Sequence, residues 1–326
     1  MAKIYFSQSI EKILDRINYA QLGNIVAIKV HFGEMGCNTY INPKLVKKVF
    51  DKITGLGKNA KLVECNILYK GSRTNRTDHL KTARSHGFQE PIDILDGAMG
   101  KDLVEVKGCK LGKGIKKYDS LVILSHFKGH GAAGFGGALK NVGMGLGSRA
   151  GKLHMHSKIK PSIVTWKCTG CGVCLENCPA GAIALVGGKA NINSKLCEGC
   201  AMCISVCSSK AASVPWHGGT SQELQEKIAR YAVAVSSLFP QVHYINVLEN
   251  ITRECDCMGI KQRPMMKDVG ILYSTDIVAI DKASLDLADK FSQGRFNRIN
   301  PVNKDQQIKF AEKLGLGSSQ YKIYKA

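Results

Sequence analysis

Apolar positions along the first part of the chain fall into two rhythms. The β-branched run Asn24-Ile25-Val26-Ala27-Ile28-Lys29-Val30-His31 reads as a buried strand, and Pro43 to Thr54, with apolar residues three and four apart, reads as an amphipathic helix. Proline suits the start of that helix because the first turn has no use for its missing N–H. The same reasoning places a strand at 61–65, a helix at 78–85 closed by Gly87, a strand at 92–95, a β-hairpin between Leu103 and Lys116, and a strand from Leu121 to Ser125. Beyond a cysteine-rich stretch the pattern resumes. It predicts a helix at 221–236, strands at 242–248, 269–272 and 277–280, and helices at 282–290 and 304–313. This alternation predicts an α/β fold, a mostly parallel sheet flanked by helices and interrupted by an inserted module. The expected segments are 1–160 and 218–326 for the two parts of the α/β domain, with 161–217 as the insert.

No segment reaches the roughly 18 consecutive apolar residues of a membrane span, and Met1-Ala2-Lys3-Ile4-Tyr5-Phe6 leads into a strand pattern, not a signal peptide. The expectation is a soluble, cytoplasmic protein. In that compartment thirteen cysteines argue for metal binding over disulfides. Eight of them form two runs, Cys168-x2-Cys171-x2-Cys174-x3-Cys178-Pro179 and Cys197-x2-Cys200-x2-Cys203-x3-Cys207. Three thiolates from a tight loop plus a fourth from the other run suit a [4Fe–4S] cubane. Cys168, Cys171, Cys174 and Cys207 are assigned to one cluster, and Cys197, Cys200, Cys203 and Cys178 to the other. Four thiolates also suit zinc, but zinc motifs usually pair two short knuckles and do not use triple runs. The insert is therefore expected to be a ferredoxin-like α+β module with two [4Fe–4S] clusters, suited to anaerobic electron transfer.

The charge is uneven. Within 161–217, Lys167, Lys189, Lys195 and Lys210 stand against Glu176 and Glu198, so only +2 of the net +20 lies there and +18 lies in the α/β part. Such a surface attracts an acidic redox protein such as a ferredoxin or flavodoxin, or an anionic small-molecule substrate. It could equally be a solvated face. Nucleic acid is disfavoured, because no recognition motif accompanies the charge.

The expected strand 121–125 runs into Ser125-His126-Phe127-Lys128-Gly129-His130-Gly131 and Gly134-Phe135-Gly136-Gly137-Ala138-Leu139-Lys140-Asn141. Open α/β sheets bind ligands at the carboxyl ends of strands. His126, Lys128, His130, Lys140 and Asn141 are thus the candidate catalytic residues. Gly134, Gly136 and Gly137 are candidates for cofactor binding, before a helix expected to start near Phe135 and to offer free N–H groups to an anion. His154 and His156, with Cys255 and Cys257, could hold a further metal; the two cysteines, expected on a strand, could also be a redox pair. Flavin is conceivable through the glycine loop, although no dinucleotide fingerprint is present.

His31-Phe32-Gly33-Glu34, Leu68-Tyr69-Lys70-Gly71-Ser72-Arg73, Ser125 to His130, Gly134 to Asn141, the cysteine runs, Cys255-Asp256-Cys257 and Asp276 to Asp281 together resemble the DUF362 family of iron–sulfur proteins. The resemblance implies an α/β domain bearing a ferredoxin-like module and assigns no activity. The sequence thus favours an iron–sulfur oxidoreductase passing single electrons between two clusters and a site in the α/β domain. The alternative is an electron-transfer adaptor whose α/β part only docks a partner.

Overall fold

The computed structural model describes residues 1–156, 160–216 and 219–326. Its spine is an eight-stranded sheet built, in chain order, from β1 (Ala2–Ser7), β2 (Ile25–Lys29), β3 (Asn59–Glu64), β4 (Ile92–Ile94), β5 (Ser120–His126), β6 (Val242–Leu248), β7 (Gly270–Ser274) and β8 (Tyr321–Lys325). The spatial order is β8-β1-β7-β6-β5-β2-β3-β4. β7 is antiparallel to both β1 and β6, and the other neighbouring pairs are parallel. The α/β fold with a mostly parallel sheet is therefore present. From β2 the chain builds outward to β3 and β4, then returns to place β5 on the other side of β2. The direction of winding reverses between β2 and β5, which is where open α/β sheets leave a crevice.

Helices α1 (Pro43–Thr54), α2 (Arg76–Ser85), α3 (Ala138–Leu146), α4 (Arg149–His156), α5 (Ser221–Ser236), α6 (Ile277–Phe291) and α7 (Asp305–Lys313) cover the faces. Two apolar clusters result, one on each side of the sheet. β5 separates them, with Leu121 and Ile123 in one and Val122 and Leu124 in the other.

The expected strand at 277–280 is instead the first turn of α6. The Asp276 side chain accepts hydrogen bonds from the N–H groups of Val278 and Ala279, an N-cap that commits the apolar run to helix. The helix expected near Phe135 starts at Ala138, since Gly134–Gly136 pairs as a short strand with Lys128–His130. β1 and β8 close one edge, where Tyr321–Lys325 carries no alternation clear enough to announce a strand.

Between α4 and α5 lies the cysteine module. Ser162–Ile163 pairs with Ala212–Ser213 at its base, and Ile183–Val186 forms a hairpin with Lys189–Ile192. Residue 217, the expected end of the insert, lies outside the described residues. Its two cysteine loops match in backbone: left-handed φ values occur at Gly170, Gly172 and Gly181 in the first, and at Gly199, Ala201 and Lys210 in the second. Ala201 and Lys210 adopt a conformation costly for residues with a Cβ, so the loop geometry is imposed by its surroundings. Among the described residues no helix is long and apolar enough to cross a membrane.

Candidate functional site

The crevice at the switch point is a cavity of about 640 Å³. Its floor rests on charges at the ends of β2 and β3. The fully buried Lys29 ammonium contacts Glu64 at 3.2 Å, the Val30 carbonyl at 2.7 Å and Asn141 Oδ1 at 2.8 Å. Glu64 also meets Arg73 at 3.1 Å, His79 at 3.2 Å and His31 at 3.4 Å, while Arg73 reaches Glu34 at 3.2 Å. Burial alone would raise the Glu64 carboxyl, but Lys29 and His31 override it and hold Glu64 well below the usual range. Burial lowers Lys29 to about 8 against the pull of Glu64. Arg73 Nη2 and His31 Nε2 are buried without a protein partner, and both residues line the cavity.

One wall is the segment after β5 packed on the turn that carries Cys255-Asp256-Cys257. Cys255 caps a short 3-10 turn at Asp256–Met258 and Cys257 lies within it, so these cysteines do not sit on a strand. Asp256 is fully buried; it binds His126 Nδ1 at 2.9 Å and Lys128 Nζ at 2.8 Å. Burial opposes the Asp256 charge, but His126 and Lys128 keep its carboxyl below the ordinary value. His126 Nε2 faces the Glu249 carbonyl at 2.9 Å. With acceptors at both nitrogens, that ring has no free atom for a substrate.

Around the cysteines the field is positive. Cys255 Sγ lies 3.8 Å from Lys140 Nζ and 3.5 Å from the Cys257 N–H. The Cys257 side chain, then Lys140, His31 and Lys128, outweigh burial and hold the Cys255 thiol well below its ordinary value. Cys257 is pushed up, first by Cys255 and then by burial. A ring nitrogen of His130 and the two sulfurs lie within 4.8 Å of one another. Burial and then Lys140 lower His130 to about 3, and His156 to about 4.

The start of α3 offers no free anion site. The Ala138 and Leu139 N–H groups donate to the Asp281 carboxylate at 2.7 and 2.8 Å. Gly136 and Gly137 line the cavity, whereas Gly134 packs on Lys304.

In the module, Cys178, Cys197, Cys200 and Cys203 line one small recess of about 20 Å³. Cys207 lies near enough to Cys168 and Cys174 to act on both thiols. Backbone N–H groups aim at sulfur: Ala182 at Cys178 (3.3 Å), Ala190 at Cys168 (3.4 Å), and Ala211 and Ala212 at Cys207 (3.2 and 3.4 Å). Such donors suit thiolates that carry charge. Among the described residues every cysteine is a free thiol.

The module touches the cavity wall directly. Lys70 donates to the Ser205 carbonyl at 3.1 Å, between Cys203 and Cys207. Leu68 packs in the same apolar cluster as Cys168 and Cys203, and both Leu68 and Tyr69 line the cavity.

The model of the family described as "Domain of unknown function (DUF362)" matches residues 26–286. The chain belongs to the DUF362 family. That span takes in the sheet crevice, the cysteine module and all the runs on which the resemblance rests. Among curated proteins none matches. A solved structure, the lactate racemase apoprotein from Thermoanaerobacterium thermosaccharolyticum, is 14% identical over 76% of this chain and 50% of its own, with a TM-score of 0.39. The chain thus spans about half the length of that protein.

In this DUF362 chain His126, Lys128, His130, Lys140 and Asn141 all line the one cavity, as do Cys255, Cys257 and His156. Their availability differs. His126 and Lys128 are tied to Asp256, and Asn141 is spent on Lys29, the Leu124 carbonyl and Ser125. Lys140 and His130 remain to meet a ligand. His154 lies outside the cavity lining, with its Nδ1 at 3.1 Å from the Tyr231 hydroxyl. Asp256, Glu64, Arg73, His31 and Lys29 were not singled out by sequence reasoning. Three of the family runs, HFGE, LYKGSR and CDC, did contain His31, Arg73 and Asp256.

Proposed function

We propose that this protein is an iron–sulfur oxidoreductase that moves single electrons between two [4Fe–4S] clusters and an anionic substrate in the crevice of the sheet. The observation that carries the proposal is the shared segment Leu68–Lys70, which packs on the cysteine module on one side and lines the cavity on the other. A pure adaptor has no need of a 640 Å³ cavity there.

The donor sets support the cluster reading: four thiols gather at one recess, and N–H groups point at sulfurs of both sets. Cys168, Cys171, Cys174 and Cys207 would hold one cubane, and Cys178, Cys197, Cys200 and Cys203 the other. When bound, they supply one-electron reduction at low potential. The chain's own groups do the rest. Lys140 and the unpartnered Arg73 Nη2 attract and orient an anion in the crevice, where their charge counts for more than in bulk water. Neutral His130 offers a ring N–H as a hydrogen-bond donor to negative charge that develops on reduction, and the accompanying proton comes from solvent in the cavity. The basic surface of the α/β part favours an acidic electron donor such as a ferredoxin or flavodoxin.

The test is reduction of anaerobically prepared protein by an acidic ferredoxin at increasing salt. Reversible bleaching of visible absorbance by about two electrons per chain is expected, slowing as salt rises. Absence of any bleaching, including with dithionite, would contradict the redox reading.

A further inference from the structure

We propose that Cys255 and Cys257 form a reversible dithiol–disulfide pair, a two-electron centre in the cavity wall that exchanges electrons with one-electron iron–sulfur carriers. The proposal rests on the redox reading above and names the group that stands between single electrons and a two-electron substrate.

Three placements carry it. Both cysteines line the cavity, and their sulfurs lie within 4.8 Å of each other on one short turn. A disulfide needs the sulfurs at about 2.05 Å, and the two already face each other across one turn. Lys140 Nζ stands 3.8 Å from Cys255 Sγ, where the negative charge of a half-reduced pair would fall. The turn itself is held from behind. Asp256 is anchored to His126 and Lys128, and the Cys257 carbonyl accepts from Tyr69 at 2.8 Å.

Two thiols and an imidazole facing a cavity could also make a catalytic metal site. The protonation of His130 argues against it. Its Nδ1 accepts hydrogen bonds from the Ala132 and Ala133 N–H groups at 3.2 and 3.0 Å. In the neutral ring the proton then sits on Nε2, and no lone pair remains for a metal. The ring is a neutral hydrogen-bond donor beside two sulfurs. Cys37, Cys65 and Cys109 do not line the cavity.

The chemistry balances. Two electrons, delivered singly by iron–sulfur donors, and two protons break the Sγ–Sγ bond and leave two thiols. The reverse forms the bond and returns two electrons to one-electron acceptors. The two protons come from solvent through the open cavity, and the reverse step returns them there.

The test uses the full chain with its clusters, purified anaerobically and equilibrated in buffers of oxidised and reduced dithiothreitol. Samples are acid-quenched, alkylated with N-ethylmaleimide and digested with trypsin. Cleavage after Arg253 and Lys261 releases Glu254–Lys261, whose only cysteines are the two in question. The expected result is a shift from the doubly alkylated peptide to an unalkylated one lighter by two hydrogens. Its ratio should change tenfold for every ~30 mV, as a two-electron couple requires. A peptide that stays doubly alkylated in fully oxidised dithiothreitol overturns the proposal. So does a stoichiometric metal in the native protein that is lost in Cys255→Ser while cluster iron stays. Iron and sulfide measured on the same samples separate the two failures. Full cluster content without a disulfide overturns only the pair, and zinc in place of iron overturns the redox reading beneath it.

Discussion

The Tyr69 phenol donates a hydrogen bond to the Cys257 carbonyl at 2.8 Å, joining the segment beneath the cysteine module to the turn that carries the second cysteine pair. Tyr69→Phe keeps the ring packing against Trp216 and removes only this bond. The bond is partly buried, so its loss costs about 0.5–1.5 kcal/mol. The urea midpoint should fall accordingly while iron content stays unchanged. A variant as stable as the parent would show that the bond does not secure the turn.

Asp256 should matter more to stability than either cation it binds. Removing it leaves the Lys128 ammonium buried without a counter-charge, and breaking a buried pair in this way costs about 3–5 kcal/mol. Lys128→Met removes the charge at similar volume and leaves Asp256 its bond to His126. Urea unfolding should therefore rank Asp256→Ala well below Lys128→Met. Equal losses would mean that the triad is not organised around Asp256.

The sheet was legible because β2 and β5 are nearly continuous apolar runs of β-branched and aliphatic residues, the pattern of a strand buried on both faces. The start of α6 was not. Ile277-Val278-Ala279-Ile280 has the composition of a strand, and only the Asp276 cap and the helix that follows decide it. In the site, the strand-end rule found the cavity wall after β5. It could not find Asp256, which lies 130 residues from His126 and meets it only in the folded chain. Nor could it show that Asp281 would occupy the N-terminus of α3, since a carboxylate 143 residues away leaves no local signal.

Cys178 shares its recess with Cys197, Cys200 and Cys203, not with the three cysteines that precede it in sequence. Cys178→Ala should accordingly disturb the cluster of the second run. About four irons per chain should remain, held by Cys168, Cys171, Cys174 and Cys207. Electron paramagnetic resonance of the reduced variant checks this. Loss of the signal belonging to the first run would reverse the assignment.

His243 is buried, with its ring stacked on Tyr273 and Nδ1 at 2.8 Å from the Tyr273 hydroxyl; burial lowers it to about 4. An unfolded histidine takes its proton near pH ~6.5. Between those values the unfolded chain binds more protons, so stability falls as pH drops from about 6.5 to 4 and is unaffected by this group above that window. The loss from this residue is about 2 kcal/mol at pH 5. His243→Phe should flatten that part of the urea-midpoint profile between pH 7 and 5. An unchanged slope would assign the proton uptake to other groups.

The most direct measurement is metal and sulfide analysis of anaerobically purified protein. About eight irons and eight acid-labile sulfides per chain are expected from the two cysteine sets, with zinc well below stoichiometric. Stoichiometric zinc with negligible labile sulfide would contradict the account.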